Sequence, residues 1–161
     1  MLRPIAIATL LAGSLDILFA MVLTLAYGRH IPDMLRYVAS GPFPAATGLG
    51  ASGAALGLVV HFALMAIMAA AYIWFACSAR RKHLATMPVR GGIAYGIVTY
   101  AVMNWVVLPL RFDTPLPPKP LSIATQLFAH VVLVGIPIAF VAARHLKGGR
   151  GNHLRMVRII V

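Results

Sequence analysis

The chain has 161 residues, of which 61% are hydrophobic and only 11% charged, with a formal net charge of +11. A soluble domain carries roughly 45–50% apolar and about 25% charged residues, and one of this size has no means of hiding so much apolar surface from water. Composition therefore excludes an ordinary soluble fold and leaves lipid as the solvent for most of the chain.

Four stretches are long and apolar enough to cross a bilayer as helices: 4–27, 51–77, 91–110 and 121–143. The first carries a single charge, Asp16, and the other three carry none. None alternates apolar and polar residues, so a β-barrel is excluded, and backbone groups in hydrocarbon must then be paired within helices. The expectation is an all-α, four-helix transmembrane bundle over 1–147, followed by a basic tail over 148–161. The first stretch is too long for a cleaved leader and is interrupted by Asp16, so it is expected to remain as a span.

With four spans, the N-terminus, second connection and tail share one side. That side holds ten cations: Arg3, Arg80, Arg81, Lys82, Arg90, Arg144, Lys147, Arg150, Arg155 and Arg158. The other side holds four, Arg29, Arg36, Arg111 and Lys119. Positive charge collects in cytoplasmic segments, so both termini are expected in the cytoplasm of a bacterial inner membrane. The same imbalance accounts for the net charge without a nucleic acid partner.

The first connection, 28–50, is the longest. Pro32 to Ala39 reads as a short interfacial helix, with Pro at its first turn, Asp33 at the positive end of the dipole, and Met34, Leu35 and Val38 on one face; an irregular loop is the alternative. The third connection carries four prolines between Arg111 and Pro120 and is expected to be extended. The tail interleaves Leu154, Val157 and Ile160 with cations, which suits either anionic lipid headgroups or a disordered end. Tyr72 and Trp74 read as interfacial anchors. Cys77, the one cysteine, has no internal disulfide partner.

Polar side chains inside a bilayer are costly and mark the candidate site. They are Asp16, His61, Tyr100, Asn104, Gln126 and His130. Residues four apart share a helix face. Gly53 and Gly57 stand on the stripe of His61, Gly92 and Gly96 on that of Tyr100 and Asn104, and Gly135 in the same span as His130. Small residues mark faces where membrane helices pack, so the polar groups are expected to point inward and to form one polar core. Pro137 leaves the Leu133 carbonyl without its helical donor. Two readings of the histidines stay open. Each either bonds to Asn104, Gln126 or a carbonyl and fixes helix register, or His61 and His130 together clasp a haem b iron. No C-x-x-C-H or H-E-x-x-H motif supports a metal, no phosphate loop or nucleophile elbow is present, and the chain has three acids in all. The expected protein is non-enzymatic and free of cofactors. It binds or conducts a small solute or protons, or serves a larger membrane complex or homo-oligomer.

His61 with Tyr72 eleven residues on, Gly92 and Gly96, Leu108-Pro109-Leu110 closing the third span before Thr114-Pro115, and Phe128-Ala129-His130 form a pattern over roughly 61–144. In this pattern the chain resembles the YagU-like family of bacterial inner-membrane proteins. The resemblance implies a polytopic protein with no settled activity. It also implies histidine at position 104, where this chain has asparagine, which neither takes up a proton nor binds a metal well.

Overall fold

In a computed structural model of the protein, residues 1–77 and 86–157 are described, with side chains as far as Leu146. The basic second connection at 78–85 and the basic side chains of the tail lie outside the described residues. Four long apolar helices make up an all-α bundle, the architecture of a multi-pass membrane protein. Span one is Leu2–Ala26, span two Gly50–Cys77, span three Pro88–Phe112 and span four Pro120–Leu146. At about 1.5 Å per residue, even the shortest exceeds the roughly 30 Å hydrocarbon core. The helix of span four runs on to Val157, into the segment expected to be a separate tail. The first and third connections share one end of the bundle, its upper end.

Span four is the hub. It packs against spans one, two and three, and 44% of its central stretch is buried against 22–28% in the others. Below the midplane the core is apolar. Ala8 and Ala12 of span one, Met65, Ala69 and Ile73 of span two, and Val134, Ile138 and Ala142 of span four enclose it. Alanines four apart let these backbones approach. Tyr72 is part of this core at 3% exposure, not an interfacial anchor, whereas Trp74 is 77% exposed. The difference is one of facing. Tyr72 is one turn from Ala69 and Ala76, both buried, and Trp74 projects from the other side.

Span three joins the bundle through span four. A Cβ on Gly92 would come 2.6 Å from Ile136 Cα, and one on Gly96 2.5 Å from both the His130 carbonyl oxygen and Val131 Cα. Gly135 faces back onto Gly92 and Gly96. Spans two and three stand apart. Tyr95 bridges the gap by donating to the Met68 carbonyl at 2.7 Å, with its ring 4.9 Å from that of Tyr72. Apolar cavities of about 420 and 290 Å³ flank this bridge.

A helix over Ile31–Ser40 fills the upper end of the gap. Leu35 and Ala39 are buried, and the Leu35 backbone lies directly on Gly57 of span two. Gly53, one turn higher, faces the Ala46 carbonyl and Arg36. These two glycines thus receive the first connection and not another span, because the loop helix occupies the upper part of that stripe. Arg111, near the end of span three, donates to the Ser40 carbonyl at 2.7 Å and the Gly41 carbonyl at 2.5 Å. A cation there satisfies the unpaired carbonyls at the negative end of the loop helix. Tyr37 stacks on Phe112 at 4.4 Å beside it, and burial pushes the Tyr37 phenol above its ordinary pKa.

Both spans with an internal proline open into a π turn just before it. The wide segments are Met103–Val107, ending two residues before Pro109, and Ala129–Gly135, ending two residues before Pro137. A wider turn makes room for a proline ring that would otherwise strike the carbonyl four residues back. Pro109 therefore does not close span three, which continues to Phe112. Asp113, in the left-handed region at φ 47°, ends it.

Candidate functional site

At the upper end, spans one and four part around an open cavity of about 480 Å³. Span one stops there because Gly28 takes φ 67°, a conformation easy only for glycine. The turn is closed by Gly28 N–H donating to the Leu25 carbonyl and Arg29 N–H to that of Thr24, which delivers Arg29 to the cavity wall. Across from it, Lys119 is extended and Pro120 starts span four. Lys119, Ser122, Thr125 and Gln126 line that side, and Thr24 and Tyr27 the other. The Thr24 and Thr125 hydroxyls already donate to the carbonyls of Ala20 and Leu121, at 2.7 and 2.9 Å.

One turn below Ala20 lies Asp16, and one turn below Gln126 lies His130. Asp16 is half-buried and interacts electrostatically with His61. His61 is 7% exposed and its Nε2 lies 2.9 Å from the Gly13 carbonyl. A carbonyl only accepts, so Nε2 carries the proton. His61 thereby ties span two to span one.

Tyr100 and Asn104 lie on span three and His130 on span four. Asn104, 7% exposed, donates to the Tyr100 carbonyl at 3.3 Å. Trp105 Nε1 donates to the Tyr100 hydroxyl at 3.3 Å. The Tyr100 ring stands perpendicular to that of His130, 6.1 Å away. His130 is 9% exposed; its ring nitrogens are buried, the Gln126 carbonyl one turn back in its own helix is the acceptor within reach, and among the described residues they have no partner on another span. Asn104 and His130 each sit in one of the two π turns, segments that recur at functional sites.

The six candidate residues thus divide. Asp16 lies within electrostatic reach of His61, Tyr100 gathers with Asn104 and His130, and Gln126 lines the cavity above. Among the described residues no hydrogen bond or ring contact joins the two groups, and no cluster of three metal-ligating side chains occurs. A double-mutant cycle of His61→Ala and His130→Ala is accordingly expected to be additive within about 0.5 kcal/mol, whereas Asp16→Asn with His61→Ala is not. Denaturation of the four variants of each cycle in detergent measures both; strong coupling of the two histidines would contradict this division.

Scans against family models, curated proteins and solved structures found no match.

Sequence reasoning missed Arg29, Lys119, Tyr27, Ser122 and Thr125 as site residues. They lie outside or at the edge of the hydrophobic stretches, where charge and hydroxyls carry no penalty that would single them out. The available signal was that four spans return both the end of the first and the start of the fourth to one side.

Proposed function

We propose that this protein is a non-enzymatic inner-membrane protein that admits a small polar solute through the cavity between spans one and four toward a polar interior. The carrying observation is the buried His130 imidazole, which among the described residues has no partner beyond the Gln126 carbonyl of its own helix and so keeps a free ring nitrogen, one helical turn beneath the cavity wall at Gln126. A buried donor or acceptor without a partner costs about 1–3 kcal/mol, so a solute or water that bonds to it has a ready binding energy. Asp16 lies at the corresponding depth on span one. Membership of the YagU-like family is part of the same proposal and is supported by the residue pattern from His61 to His130.

Cysteine labelling tests the path. In a Cys77→Ser background, the Ser122→Cys and Gln126→Cys variants should react readily with a charged, membrane-impermeant thiol reagent. The His130→Cys variant should react more slowly, and Val132→Cys, on the exposed apolar side of span four, not at all. Reaction at 126 with none at 130 would end the path at the cavity and defeat the reading.

Orientation follows from the charge imbalance. Reporter fusions after Ala79 and Arg144 are expected to read cytoplasmic and one after Gly41 periplasmic, which places the cavity mouth on the periplasmic face. A periplasmic signal after Ala79 would refute this.

A further inference from the structure

The cavity between spans one and four is lined by two cations and by no carboxylate. Four cations belong to the upper end by chain position, and two of them have structural work. Arg36 pairs with Asp33 and donates to the Gly50 carbonyl, and Arg111 caps the loop helix. The other two, Arg29 and Lys119, make no ion pair or side-chain hydrogen bond among the described residues, and both line this cavity. No carboxylate lines it. The chain's three acids are elsewhere: Asp33 with Arg36, Asp16 beside His61, and Asp113 beyond span three. Tyr27, Ser122 and Gln126 add side-chain donors to the same walls with no partner of their own among the described residues. The opening turn of span four contributes the positive end of its dipole.

Two cations lining one cavity repel each other, and among the described residues no carboxylate lines it to offset that repulsion. A bound anion would. An oxyanion accepts from several donors at once, and guanidinium with ammonium matches the spread of charge on a phosphate or carboxylate. The volume of about 480 Å³ admits a phosphate-sized group with room for its substituent.

The geometry points to an oxyanion-binding site at this mouth, holding a phosphate or carboxylate group between Arg29 and Lys119, with Tyr27, Ser122 and Gln126 as further donors. It deepens the function proposed above by naming the ligand class, and rests on the same cavity but not on access to His130. The group arrives either on a soluble molecule or as the head of an anionic lipid.

The test uses the full-length protein. Thermal unfolding in neutral detergent is followed with inorganic phosphate against chloride at matched ionic strength, and in nanodiscs of phosphatidylglycerol against phosphatidylcholine. A melting temperature raised by phosphate identifies a soluble oxyanion, and one raised only by phosphatidylglycerol identifies a lipid headgroup; either supports the site. The Arg29→Gln/Lys119→Gln variant should weaken the apparent affinity at least about tenfold, since it removes both charge-assisted hydrogen bonds to the anion. Arg29→Lys/Lys119→Arg should retain most of it, and Arg90→Gln, at the lower end, all of it. No shift with either probe, or an equal shift in the Arg29→Gln/Lys119→Gln variant, overturns the inference. Labelling at Gln126→Cys and His130→Cys is read separately: anion binding without labelling at 130 defeats only the solute path, and labelling without anion binding defeats only this site.

Discussion

Gly96→Leu is expected to separate span three from span four. A Cβ at position 96 already meets the His130 carbonyl oxygen and Val131 Cα at 2.5 Å, and the His130 carbonyl carbon at 2.9 Å. All three are backbone atoms, so no rotamer change relieves the clash. One helix must move, and with it Gly92 and Gly135, which share the contact. Overpacking costs about 1–3 kcal/mol where side chains can adjust; here the backbone itself stands in the way, and a loss of about 3 kcal/mol or more is expected. Denaturation in mild detergent measures it. Gly48→Ala is the control, because a Cβ there meets nothing within 4 Å, and surface changes of that kind stay within about 0.5 kcal/mol. Similar stability of the two variants would mean that spans three and four do not cross at these glycines.

Gly57→Leu should act locally and still strongly. The carbonyl carbon and Cα of Leu35 lie within 2.6 and 3.1 Å of the added Cβ position, so the loop helix has to lift from span two. Its other tie is to Arg111 and Phe112 of span three, and a helix lifted from span two strains those contacts as well. Ala39, buried in the native fold, should become reactive toward a water-soluble thiol reagent in an Ala39→Cys, Cys77→Ser background when Gly57→Leu is added. The cost is expected at about 2–3 kcal/mol by the same overpacking argument. Continued protection at position 39 would show that the loop helix docks elsewhere.

The membrane class, the four spans and their approximate ends were legible because each depends on a local quantity. Runs of about 20 apolar residues and the need to pair the backbone in hydrocarbon act within one segment. The glycine and alanine stripes were legible too, since a four-residue spacing places residues on one face whatever the fold. What such a stripe packs against is not local. Gly57 and Gly96 look alike in sequence, yet one receives a loop helix and the other a span. Tyr72 and Trp74, two residues apart, face the core and the outside because only the bundle decides which side is in. The π turns before Pro109 and Pro137 likewise let both spans run past a proline, in span three past the residue that read as its close.

The polar residues show the same boundary. Their cost in lipid made Asp16, His61, Asn104 and His130 stand out one at a time. Their grouping, with His61 on the Gly13 carbonyl of span one and His130 without a described partner on another span, required knowing which spans are neighbours. Arg29 and Lys119 are ninety positions apart and unremarkable in water-facing sequence. They line one cavity because a span that ends and a span that begins come side by side. Segment-level chemistry follows from residues that touch in sequence, whereas a site is set by residues that touch only once the helices have packed.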